Sequence, residues 1–104
     1  MTDYIMITST FETEADAQHI GELLLKKERI ACAQLSGPIR SLYKWEGKIE
    51  ENTEWVCQLK THTKHSEEVM KIIKKEHPYQ VPQIIVTPII DGDPDYLNWI
   101  NDVT

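Results

Sequence analysis

The passage from His77 to Ile90 constrains the fold more than any other part of the sequence. Pro78 lacks a backbone donor and biases the residue before it away from helical angles, so a helix that reaches this point ends here. The branched run of Ile84, Ile85 and Val86 then predicts a short buried strand. A helix end, a polar-aromatic link and a core strand therefore meet in one passage, and such a rigid junction suits a binding site.

Residue spacing divides the whole chain into alternating strands and helices. Thr13 followed by an acid at Asp16 has the pattern of a capping box, and Asp93 before Pro94 predicts another helix start. In chain order we predict a strand over Tyr4–Thr10, a helix over Thr13–Glu28, a strand over Ile30–Trp45 that is interrupted at Ser36–Pro38, a hairpin turn at Glu46–Lys48, a returning strand of Ile49 and Thr53–Thr61, a helix over Thr63–Lys75, a strand that starts at Ile84 and ends at Asp91, and a short helix from Asp93 to Val103.

This order predicts an α+β fold of the ferredoxin-like βαββαβ type with a short C-terminal helix, in one domain over residues 1–104. Both long helices then cover one face of the sheet and leave the other face bare. A bare apolar face on a small domain is commonly covered by another copy of the chain. Tyr43 and Trp45, large aromatics near the tip of the long hairpin, are the predicted subunit anchors.

Composition excludes several classes of partner. The chain has 11 basic and 17 acidic side chains and a net charge of −6, so a nucleic-acid backbone would be repelled. No apolar run is long enough to span a membrane. The N-terminus has no basic leader, and the two cysteines, Cys32 and Cys57, are far apart, so we expect a reduced, cytoplasmic protein without disulfides.

Separate motifs in the right order give the chain a family resemblance over nearly its whole length. They are Tyr43-Lys44-Trp45-Glu46-Gly47-Lys48-Ile49-Glu50, Leu59-Lys60-Thr61, His77-Pro78-Tyr79-Gln80-Val81-Pro82, Gly92-Asp93-Pro94-Asp95-Tyr96-Leu97-Asn98-Trp99 and, in the second strand, Ala31-Cys32-Ala33. Together they resemble the CutA family of divalent-cation tolerance proteins. The resemblance implies a cytosolic homotrimer of ferredoxin-like subunits, similar in architecture to PII-type signalling trimers, that binds copper or another divalent metal ion and has no established enzymatic reaction.

The same resemblance implies a metal site. Copper-binding bacterial relatives are described with a Cys at the end of the first strand and a His-His pair before Pro-Tyr; here Ser9 and the pair Glu76-His77 occupy those positions. His77 is therefore the first candidate ligand, with Glu76 and Ser9 in support, because a neutral imidazole suits copper, nickel and zinc. The other interpretation is that His77 closes the second helix by bonding to its last carbonyls.

A second group of residues matches family positions that can line a cleft between subunits: Lys60, Tyr79, Trp45 and Glu54. An aromatic, a cation and a carboxylate that converge would suit a small anionic or metal-bound ligand. Interface packing is the alternative. Cys32, in an apolar strand, is a further candidate ligand, against the interpretation that it fills the core.

Two functions remain from these patterns. The first is a metal-binding homotrimer in the response to metal, copper in particular. The second is a PII-like regulatory or scaffolding trimer that holds a small molecule in an intersubunit cleft. The sequence contains no Ser-His-Asp order and no phosphate-binding glycine loop, so we expect a protein that is not an enzyme.

Overall fold

A computed structural model describes residues 3–104, which form four strands, three α-helices and a 3₁₀ turn. The 3₁₀ turn, Thr63–His65, leads directly into the second helix. The elements are β1 Tyr4–Phe11, α1 Glu14–Lys26, β2 Cys32–Trp45, β3 Lys48–His62, α2 Ser66–Glu76, β4 Ile85–Pro88 and α3 Pro94–Asp102. The predicted order of elements is confirmed, whereas α1 ends two residues early and α2 begins at Ser66 rather than Thr63.

The sheet has the order β2-β3-β1-β4 with every neighbouring pair antiparallel, which is the ferredoxin-like arrangement of an α+β fold. Alternate residues of β1 point to opposite faces, so Ile5, Ile7 and Phe11 are buried while Met6 and Thr8 are half-buried. The buried set packs with the apolar sides of α1 and α2, which include Leu24 and Ile73 at 0% exposure. One face of the sheet therefore carries the core.

The long β2–β3 hairpin owes its shape to two irregular points. At its tip, Glu46 and Gly47 both have positive φ, 49° and 77°, as a two-residue turn between twisted strands requires. Nearer the sheet, the register shifts between Ser36 and Ile39, so the predicted bulge is confirmed. Gly37 has φ +150° there, and a Cβ added to it would lie 3.0 Å from the Trp55 ring. The bulge therefore needs glycine.

The C-terminal helix α3 changes one expectation. Tyr96 of α3 contacts Cys32 of β2 and stands beside Lys60 of β3, and both of these residues belong to the face opposite α1 and α2. The second face of the sheet is therefore not bare throughout, because α3 covers the end near Cys32. Over residues 3–104, none of the helices combines the length and the apolar character needed to cross a membrane.

Candidate functional site

His77 follows the last residue of α2, and its ring is turned into the protein, where it is 7% exposed. Its Nδ1 accepts from the Tyr79 N–H at 3.1 Å, so the proton lies on Nε2, which donates to the Thr10 carbonyl at 2.8 Å. The ring also stacks on Phe11 with centroids 4.2 Å apart. Burial lowers the pKa of His77, which keeps the ring neutral. Both ring nitrogens therefore form hydrogen bonds to backbone groups. These bonds hold the Pro78 link in place.

The other two predicted metal ligands lie elsewhere. Ser9 is fully buried on the helix-facing side of β1, opposite Cys57, and its hydroxyl has no hydrogen-bond partner. The Glu76 carboxylate faces His19 of α1, with 3.5 Å between its oxygen and Nε2. Among residues 3–104, no three His, Cys, Asp or Glu side chains are placed to hold a metal ion. Within one subunit, Ser9, Glu76 and His77 therefore do not fit a copper centre, since His77 could ligate only by giving up a hydrogen bond.

Three of the predicted cleft residues do meet. Trp45, Glu54 and Tyr79 line a cavity of about 520 Å³ that runs along one face of the β2–β3 hairpin. The register places Ser41 opposite Asn52 and Tyr43 opposite Glu50, so these aromatic and polar side chains share that face. The opposite wall is the segment from Tyr79 to Gln83, which follows the proline break. The junction singled out in the sequence thus forms one side of a cavity.

Glu54 and Tyr79 are the polar centre of this cavity. Glu54 is 8% exposed, and its Oε2 accepts from the Tyr79 hydroxyl at 2.9 Å. Burial, and then the adjacent carboxylate, raise the pKa of Tyr79 well above its usual value, so the hydroxyl stays protonated and donates. On the hairpin wall of the cavity, Asn52 Nδ2 donates to the Tyr43 hydroxyl. The backbone N–H of Tyr79 bonds to His77, so one residue connects the buried imidazole with the cavity.

Lys60 and Cys32 are not part of this cavity. Lys60 lies six positions after Glu54 in β3, which corresponds to about 20 Å along an extended strand. The Lys60 ammonium donates to Gln34 Oε1 at 2.9 Å and lies 5.6 Å from the centre of the Tyr96 ring. Cys32 Sγ is 3.6 Å from the Tyr96 hydroxyl, and this hydrogen bond raises the pKa of Tyr96. Within one chain, the two residues form a second polar group beside α3.

Sequence reasoning missed three participants. Thr10 contributes the carbonyl that fixes His77, and it lines the cavity as well. Asn52 could have been found by counting the hairpin register back from the turn at Glu46 and Gly47, which places it opposite Ser41. His19 carries no such signal, because its approach to Glu76 is a contact between two separate helices.

Comparison with known proteins gives one consistent result. The sequence model of the family described as CutA1 divalent ion tolerance protein matches residues 5–103. The divalent-cation tolerance protein CutA of Yersinia pestis (strain Pestoides F) is 40% identical over 97 residues, which make up 93% of this chain and 82% of that protein.

Solved structures agree with the sequence comparison. The crystal structure of divalent ion tolerance protein CutA1 from Ehrlichia chaffeensis has a TM-score of 0.93 and 33% identity, over 99% of this chain and 96% of that one. A protein from Archaeoglobus fulgidus described as periplasmic divalent cation tolerance protein CutA has a TM-score of 0.93 and 35% identity, over 96% of this chain and 97% of that one. The sequence and the fold therefore lead to the same assignment: the chain belongs to the CutA1 family of divalent ion tolerance proteins.

Proposed function

We propose that this chain acts in divalent-cation tolerance as a cytoplasmic homotrimer that binds divalent metal ions, copper in particular, and catalyses no reaction. The observation that carries the proposal is membership of the CutA1 family over residues 5–103. The cytoplasmic location is supported by two free thiols, Cys32 and Cys57. Because one relative is described as periplasmic, cell fractionation with a tagged chain is the direct test.

A binding role rather than a catalytic one is supported by the state of the groups that could react. Burial raises the pKa of the Cys57 thiol to about 12, so it is not a thiolate near neutral pH. The His77 nitrogens are both hydrogen-bonded to backbone, which leaves that imidazole no free atom to act as a base.

The homotrimer is supported by the apolar side chains of the hairpin. Leu42 is 67% exposed and Ile49 is 75% exposed, and Tyr43 and Trp45 are each more than a third exposed. Several exposed apolar side chains on one short hairpin indicate an interface. The family's PII-like architecture, in which hairpins extend across neighbouring subunits, would bury Ile49 in the assembly and leave the face with Tyr43 and Trp45 as a cleft between subunits.

Assembly is tested at Ile49, which lies outside the cavity lining. Ile49→Asp should shift the mass measured by multi-angle light scattering from trimer toward monomer, because a carboxylate would be buried in the interface. Leu25→Asp is the matched control: Leu25 is 41% exposed and lies on α1 instead of the hairpin, so this change should leave the trimer intact. A wild-type monomer at micromolar concentration would contradict the proposal.

For the metal itself, His19 and Glu76 are two neighbouring donors that solvent can reach. The 3.5 Å between His19 Nε2 and Glu76 Oε1 allows one ion to contact both, since copper and zinc bind nitrogen and oxygen at about 2.0–2.2 Å. Two protein donors leave coordination positions for water or for groups of another subunit. Glu76 therefore remains a predicted ligand, paired with His19 instead of His77.

Copper titration by calorimetry distinguishes the two assignments. If His19 and Glu76 hold the ion, His19→Ala should weaken copper binding about tenfold or more, and His77→Gln should leave it unchanged. His62→Ala is the matched control, because His62 is also partly exposed but its Nδ1 accepts from the Lys64 N–H. Loss of binding in His77→Gln alone would restore His77 as the ligand. Equal affinity in all variants would remove both residues from the site.

A second function is favoured by the cavity: the trimer holds a small molecule in a cleft of the PII-like type. The cavity has the volume and the mix of aromatic and polar walls that are typical of ligand sites. A thermal-shift screen with nucleotides, organic anions and amines tests this function, because a ligand that binds only the folded protein raises Tm. No shift with any of these compounds would contradict it.

A further inference from the structure

The cavity beside Tyr79 contains a buried carboxylate, that of Glu54. Glu54 is 8% exposed, and among residues 3–104 its carboxylate forms no ion pair. Its hydrogen bond comes from the neutral Tyr79 hydroxyl. Arg40, which is close by in the hairpin, is bound to Glu51 instead. Buried carboxylates are ordinarily paired with a cation, because an unpaired one loses its hydration without compensation.

The other residues that line the cavity indicate which charge a ligand of Glu54 should carry. Of the described residues that line the cavity, Glu54 alone is charged, and the rest are aromatic, aliphatic or neutral polar. Tyr79 is the aromatic wall in contact with the carboxylate, and Tyr43 and then Trp45 lie further along the hairpin. Ring faces attract cations. The net charge of −6 adds to the same preference.

Within one chain, the position of Lys60 outside the cavity changes the charge of ligand that the cavity favours. With Lys60 in the cleft, the site would suit an anion; with Lys60 beside Tyr96, the cavity retains the carboxylate without the ammonium. A divalent metal ion is also a poor match, because hard cations need several oxygen ligands and the cavity offers a single carboxylate. Aromatic walls around one carboxylate match an organic cation better.

We infer that the cavity binds an organic ammonium ion, with its charged nitrogen against Glu54 and its carbon groups against Tyr43 and Tyr79. This inference rests on the second function proposed above and names the class of its ligand. The cavity of about 520 Å³ extends past the carboxylate toward Trp45, so the ion can carry a substituent of some length.

The experiment compares choline with its uncharged tert-butyl isostere, in which carbon replaces the quaternary nitrogen, and with butyrate. Each is titrated into the assembled wild-type protein, and binding is read from the indole N–H signal of Trp45 in NMR spectra, assigned with Trp45→Phe. Choline should shift this signal in a saturable way, and the other two should bind about tenfold more weakly or not at all.

Variants then test which carboxylate contacts the charged nitrogen of choline. Glu54→Gln should weaken choline binding about tenfold or more, and Glu51→Gln, a nearby carboxylate that Arg40 already pairs, should leave it unchanged. Tyr43→Leu should weaken binding several-fold, and it provides a second test if Glu54→Gln does not fold.

Equal binding of choline and its isostere, or binding of butyrate alone, would overturn the ammonium assignment and leave the cleft function standing. Saturable binding of Mg²⁺ that depends on Glu54, with none of choline, would overturn it as well. If no probe binds and the thermal-shift screen is also empty, the cleft function fails together with the inference.

Discussion

His77 and Glu54 are two buried polar side chains on either side of Tyr79, and they are satisfied in opposite ways. His77 is 7% exposed and uses both ring nitrogens on backbone groups, and it is neutral. Glu54 is 8% exposed and receives its hydrogen bond from the neutral Tyr79 hydroxyl. The two side chains are about equally buried but differ in their pairing. Both His77 nitrogens are hydrogen-bonded within the chain, whereas the Glu54 carboxylate can still accept from a partner.

This difference indicates which group holds the structure and which can bind. A residue whose donors and acceptors are all used contributes to stability and has nothing to offer a ligand without a compensating loss. A buried carboxylate with no counter-charge lowers the stability of the fold. Binding of a cation to it restores part of that stability. The predictions below measure each side of this contrast.

The largest effect is expected at His77. His77→Ala removes the stacking partner of Phe11 and leaves the Thr10 carbonyl and the Tyr79 N–H without their bonds, so we expect a loss of about 3 kcal/mol in unfolding free energy. Urea unfolding at a fixed protein concentration measures it. His19→Ala, at an exposed histidine, is the control and should cost less than about 0.5 kcal/mol. A loss below 1 kcal/mol at His77 would contradict its structural role.

Tyr79→Phe should have the next largest effect. It removes the hydroxyl that donates to Glu54 and leaves a buried carboxylate without a donor, at a cost of about 2 kcal/mol. In a Glu54→Gln background the same change should cost about 1 kcal/mol, because the lost bond is then between neutral groups. A double-mutant cycle in urea gives the coupling. Equal costs in both backgrounds would mean that the carboxylate charge is compensated elsewhere.

The dependence of stability on pH should report the buried imidazole of His77. Burial lowers the pKa of His77 from 6.5 in the folded protein, so below that value the unfolded chain binds more protons than the native one. Stability should therefore fall as the pH drops below about 6.5, by at most about 1.4 kcal/mol per pH unit, and level off below the lowered pKa. His77→Gln should lose this part of the slope. An unchanged slope would place the proton uptake on another group.

The sequence predicted the fold more completely than the site. Strand and helix order follow from local spacing, so β1 and the bulge at Gly37 were within reach. To predict the cavity, one must know which face of the hairpin each side chain points to. The bulge shifts the strand register part-way along β2, so this could not be counted from the sequence alone. Lys60 was grouped with Glu54 in a cleft between subunits, and within one chain about 20 Å of strand separates the two residues. His77 was correctly placed at the end of α2, but the carbonyl it bonds belongs to β1, far away in sequence.

The smallest change in stability is expected for Glu54→Gln, and for that reason it is the most informative. If no cation pairs with Glu54 in the unliganded assembly, exchanging the carboxylate for an amide weakens one hydrogen bond and removes one unpaired buried charge, so the two effects nearly cancel and stability stays within about 1 kcal/mol of the wild type. If a lysine or arginine of a neighbouring subunit already pairs with it, the same change strands that cation and costs about 3–5 kcal/mol. Urea unfolding with and without choline distinguishes these cases, since choline should stabilise the wild type alone when the carboxylate is free.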